Sequence, residues 1–98
     1  MLELDEKNYS LAAEQTELPV LIGLYTQGRP MAEGFEPLAE RGSGKLKFCK
    51  LDIHAQPALA DQLCGRGQPS LLLLQGGEIA QRLRGNYDCP SLTKILGL

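Results

Sequence analysis

Long hydrophobic runs are missing from this 98-residue chain: "PVLIGLY" and "LLLL" are the longest, and both are far too short to cross a bilayer. An excess of basic charge is missing too. Ten Lys and Arg stand against twelve Asp and Glu, mixed along the chain, for a net charge of −2. With no basic face to neutralise a phosphate backbone, neither nucleic acid nor a membrane is expected as a partner. The first ten residues, "MLELDEKNYS", are acidic and lack the apolar stretch of a signal peptide. Cysteine is sparse and odd in number, at Cys49, Cys64 and Cys89. Without an export signal, these are expected to be free thiols in a reducing cytoplasm and not a disulfide framework. The single histidine, His54, lies at no metal-ligand spacing from them, so no metal or cofactor is expected. Repeats, low-complexity tracts and linkers are absent as well. That leaves one domain over 1–98, with room for one modest core.

What is present is regular punctuation every eight to twelve residues. "PVLIGLYT" (19–26) is a continuous apolar run ended by Gln27-Gly28, the pattern of a central strand buried on both faces. Met31, Phe35, Leu38 and Ala39 then recur at helical spacing, with Glu33, Glu36 and Glu40 between them. An amphipathic helix is expected there, ending before "RGSG" and kinked at Pro37. "KLKFCKLDI" (45–53) alternates, with Cys49, Leu51 and Ile53 on one face, and reads as a strand parallel to the first. Pro57 opens a second helix carrying Leu59, Ala60 and Leu63, closed by Gly65. "PSLLLLQGGEIAQRL" has the form of a hairpin, its Gly76-Gly77 suited to a type I′ turn. Arg82 and Arg84 would charge its outer edge against pairing with other chains. Asp88 is placed to cap a last helix, with Pro90 in the first turn and Leu92, Ile95 and Leu96 facing inward. A further helix is expected within 6–15. The order is β-α-β-α-β-α-β-β-α, an α/β fold.

From about Leu18 to Leu96 these residues resemble the thioredoxin family. "PVLIGLY" matches the strand before the active site, Pro37 the proline of the following helix, and "KLDI" the third strand. "GRGQPSLLLLQGGE" matches the loop, cis-proline and hairpin, and Gly85 the glycine before the last helix. The resemblance implies the thioredoxin fold, a mixed sheet of about five strands flanked by about four helices. It also implies a cis Gln68–Pro69 bond, a minority state for any X–Pro pair. The departure is as clear. The family's W-C-G-P-C falls on Gly28, Arg29, Pro30, Met31 and Ala32, its buried acid falls on Gly23, and its neighbouring lysine survives as Lys50.

Dithiol exchange needs a thiolate to attack and a second thiol to resolve the mixed disulfide. Arg29 cannot attack and Ala32 cannot resolve, so the usual oxidoreductase chemistry is not expected at this degenerate site. Arg29 is also ill-suited to the positive end of a helix, where the resemblance would put it. The groove of the resembled family remains: Gln68, Pro69 and Gly85 fall on positions that offer backbone to a bound peptide, beside the Gly28–Met31 loop. Strand addition of that kind needs no cysteine. The plain alternative is that Pro69 shapes a loop and Gly85 turns the chain.

Cys49 reads as a buried small hydrophobe. Cys64 ends a helix five residues before Pro69, and Cys89 opens one beside Asp88; both are candidate thiols. At Cys89 the helix start favours thiolate and the adjacent carboxylate opposes it. His54 reads as a solvated loop residue, and Arg29 and Arg66 as loop arginines near the groove. Two functions from different classes follow. One is a non-catalytic adaptor, chaperone or accessory subunit that holds a protein or peptide at the cis-proline groove. The other is a thiol-redox protein of cell redox homeostasis, acting through Cys64 or Cys89.

Overall fold

The computed structural model describes residues 1–41, 44–64 and 69–98, with Cys64 described by its backbone alone. Five strands form one mixed sheet: β1 (Leu2–Glu3), β2 (Val20–Tyr25), β3 (Lys47–Asp52), β4 (Leu71–Gln75) and β5 (Glu78–Leu83), in the order β1-β3-β2-β4-β5. β1, β2 and β3 are parallel, while β4 runs antiparallel to β2 and β5 antiparallel to β4. Three α-helices, α1 (Phe35–Arg41), α2 (Pro57–Cys64) and α3 (Cys89–Leu96), accompany a five-residue π-helical turn at Ser10–Glu14. The helix expected within 6–15 is that turn. Among the described residues, no helix is long and apolar enough to cross a membrane.

β2 lies centrally because its run of apolar side chains has to be covered on both faces, and its first five residues are buried. On one face Val20, Ile22 and Leu24 join Cys49, Leu51, Leu59, Leu63, Leu72 and Leu74 in an apolar cluster closed by Tyr9, Ala12 and Ala13. On the other, Leu21 joins Phe35, Leu38, Leu71, Leu83 and Leu92, with Met31, Phe48, Tyr87 and Cys89 packed against them. The Phe35 and Phe48 rings meet edge to face, 6.1 Å between centroids. Cys49 is fully buried, and burial pushes its thiol up from the ordinary value.

The hairpin turns through Gly76 and Gly77, both at positive φ (59° and 82°), as the type I′ geometry requires. Its outer strand carries a bulge: Leu73 faces Gln81 and Leu74 faces Ile79, leaving Ala80 over. The bulge and the exposed Arg82 together protect this edge from further pairing.

Three sequence expectations need correction. The first helix begins at Phe35, not near Met31, because the Glu33 and Gly34 N–H groups are given to Asn86 Oδ1 and Tyr87 O, both at 2.6 Å. Residues 30–34 are therefore irregular, and Arg29 does not stand at a helix end. Pro37 consequently falls in the first turn of α1, where its missing N–H breaks no intrahelical bond and no kink is called for. In α3, Leu92 and Leu96 pack inward, but Ile95 is exposed. Gly97, at φ 70°, reverses the chain so that Leu98 N–H reaches Thr93 O and the Leu98 side chain covers the cluster instead.

Candidate functional site

Arg29 to Glu33 form a ridge with a cleft on either side. At its base Thr26 and Arg29 exchange N–H···O bonds of 3.0 and 2.9 Å around Gly28, whose φ of +83° suits glycine. At its top are the bonds from Glu33 and Gly34 to Asn86 and Tyr87. Gly34 is required there: a Cβ would lie 2.3 Å from the Asp88 carbonyl carbon and 2.4 Å from Cys89 N. Ala32 and Met31 point into the apolar cluster.

The first cleft, of about 550 Å³, is lined by Arg29 to Glu33 on one side and by Ser70, Gly85 and Asn86 on the other. Ser70 builds that second wall. Its N–H donates to Leu83 O at 2.8 Å, and its hydroxyl lies 3.1 Å from Leu83 O and 2.5 Å from Gly85 O, so its one proton goes to the nearer carbonyl. Its own carbonyl accepts from Leu24 N–H at 3.0 Å, tying the wall to the central strand. Gly85, at φ 101°, makes the bend that carries the chain from β5 to Asn86. The second cleft, of about 560 Å³, lies across the ridge between Tyr25, Lys50, Glu36 and Pro37.

The structure thus brings Arg29, Pro30, Met31 and Ala32 together with Gly85. Gly28 sits in the turn below and lines neither cleft. Pro69 is described and fully buried, one residue before the wall. Gln68 and Arg66 lie outside the described residues, and with Gln68 the isomer of the Gln68–Pro69 bond. Ser70 and Asn86 were not singled out from sequence. Each adjoins a residue that was, yet neither carries a motif, since their roles come from hydrogen bonds formed only after folding.

Where the resemblance places a buried acid there is no room for a side chain. A Cβ on Gly23 would lie 2.8 Å from Met31 Sδ and 2.8 and 2.9 Å from two Phe35 ring carbons. Lys50, opposite Gly23 in the β2–β3 register, faces the second cleft.

Cys89 lines neither cleft. It is half-buried against the second cluster, and Arg41 Nη1 donates to its Sγ at 3.4 Å. The Cys64 side chain lies outside what is described. His54 is exposed, and its N–H donates to Asp52 Oδ1 at 3.0 Å. Among the described residues, no three His, Cys, Asp or Glu side chains converge as metal ligands.

A five-stranded mixed sheet of this order, with an irregular ridge leading into α1, agrees with the family to which the sequence points. The family model described as Thioredoxin matches residues 1–97, and the chain belongs to the thioredoxin family. It is 28% identical over 96 residues to the chloroplastic M-type thioredoxin of Zea mays, covering 94% of this chain and 58% of that protein. It is 26% identical over 100 residues to a thioredoxin-like protein of Synechocystis, covering 98% and 92%. Thioredoxin C-3 of Corynebacterium nephridii is 31% identical over 88 residues, covering 86% and 60%. The chain spans less than three fifths of the length of the maize relative and of a chloroplastic M5 thioredoxin from rice, at 58% and 56%.

Proposed function

We propose that this chain is a thioredoxin-family binding module without dithiol chemistry at the family's usual site, and that it holds an extended protein segment in the first cleft. The observation that carries this reading is the cleft itself: a space of about 550 Å³ between the ridge and the Ser70–Gly85 wall, with no cysteine among its described lining residues. Its volume suits a few side chains of an extended segment. The filling of the space over Gly23 by Met31 and Phe35 supports the same reading, because a proton-accepting carboxylate has no place beneath the ridge.

A thiol-redox role through Cys89 is the second reading, with the Arg41 N–H···Sγ contact behind it. Selection from a peptide display library in dithiothreitol separates the two. Wild type and a Cys64→Ser/Cys89→Ser variant should retain the same sequences, and neither should accelerate the reduction of insulin disulfides by dithiothreitol. Loss of retention in the double variant, or retention only without reductant, would overturn the proposal in favour of the thiol reading.

A further inference from the structure

Met31 stands out among the ridge residues. The chain has two methionines, and Met1 at the chain end is 55% exposed. Met31 is half-buried, lines both clefts and fills the space over Gly23 beside the Phe35 ring. Of the ridge, Met31 and Ala32 alone pack into the apolar cluster. Alanine contributes one methyl group, so the thioether is the larger anchor between the turn at Thr26–Arg29 and the bonds at Glu33 and Gly34.

We propose that Met31 is an oxidisable latch: its conversion to the sulfoxide by hydrogen peroxide drives the side chain off Gly23 and joins the two clefts. As regulation of the groove, this rests on the binding reading above. A sulfur lone pair attacks one peroxide oxygen, the O–O bond breaks, and the departing hydroxide takes the proton of the transferred OH to leave water. Two electrons pass from sulfur to peroxide, and no thiol takes part. The new oxygen is a strong acceptor in a slot walled by the Phe35 ring and by a glycine backbone already engaged in the sheet. Burying it unpaired is unfavourable, and with only 2.8 Å from Sδ to a Cβ placed on Gly23 the slot has no spare width. The second cleft offers water and the Lys50 ammonium instead. Peroxide reaches the thioether because the residue borders both clefts.

The test treats the full chain with hydrogen peroxide, then with dithiothreitol, which returns disulfides and sulfenic acids to thiols and leaves the sulfoxide. Mass spectrometry reads oxidation at Met31 against Met1, and hydrogen exchange reads the amides of 31–34. Exchange there should quicken by about tenfold, because local opening of the ridge is made easier. Methionine sulfoxide reductases for both epimers should reverse it, unoxidised Met31→Gln should reproduce it, and Met31→Leu should be insensitive to peroxide. Unchanged exchange with Met31 fully oxidised would overturn the proposal, as would a Met31 that stays reduced while Met1 is oxidised. The exchange readout needs no peptide. Quickened exchange in a chain that binds no library peptide therefore leaves the latch standing and removes the binding reading.

Discussion

At the scale of single residues, two glycines set the shape of the candidate site, and they do so differently. The atoms that would meet a Cβ at Gly23 belong to side chains, and one of them is the end of a flexible methionine. Those that would meet a Cβ at Gly34 are backbone atoms of Asp88 and Cys89. Side chains give way where backbone does not, so alanine should be tolerated better at 23. Overpacking is expected to destabilise Gly23→Ala by about 1–3 kcal/mol and Gly34→Ala by about 3 kcal/mol or more. Urea unfolding midpoints measure both, and equal losses would contradict the close approach of the ridge to α3. Neither packing demand is written in a spacing pattern. In the sequence Gly23 read only as the position of a lost acid, and Gly34 had no role at all.

Among the elements, α3 was the more legible and α1 the less so. Asp88, Pro90 and the closing Gly97 act locally, and local signals survive into the structure: Asp88 Oδ1 accepts from Ser91 N–H at 2.9 Å. Hydrogen bonding from the Ser91 side chain first, and from this N–H second, holds the Asp88 carboxyl below its ordinary 3.8. A depressed folded value means that the unfolded chain binds the proton first. The stabilisation is therefore present above 3.8 and lost as pH falls through the folded value. Asp88→Asn should keep the cap and lose this acid-side dependence. Asp88→Ala should lower the melting temperature at neutral pH as well, and melting curves between pH 2 and 7 would show both. The start of α1 was misread because its governing bonds come from Asn86 and Tyr87, more than fifty residues away. Helical periodicity at Met31, Phe35 and Leu38 is satisfied equally well by a ridge that drops Met31 into the core before the helix starts.

For the whole molecule, the order of elements along the chain, the hairpin and the two-faced core were all readable, because alternation and apolar runs record burial directly. The second cleft was not, and the first was expected only through the family resemblance, since each is made by segments distant in sequence. The β1 edge adds another such contact: Tyr25 Oη donates to Glu3 Oε2, which with burial pushes the phenol up to about 12. A raised folded value places this stabilisation below pH 10 and removes it as pH rises through about 12. Absorbance titration should show the latest tyrosine transition of wild type lost in Tyr25→Phe and moved earlier in Glu3→Gln, beside the separate transition of Tyr9, which burial and Glu14 also raise.

The central claim is that the cleft between the ridge and the Ser70–Gly85 wall binds protein segments without thiol chemistry. Amide shift mapping of a library-selected peptide on the Cys64→Ser/Cys89→Ser chain in dithiothreitol tests it most directly. Saturable shifts are expected at Arg29, Met31, Ala32, Glu33, Ser70, Gly85 and Asn86. Shifts centred on α3 near position 89, or none once the thiols are gone, would contradict it.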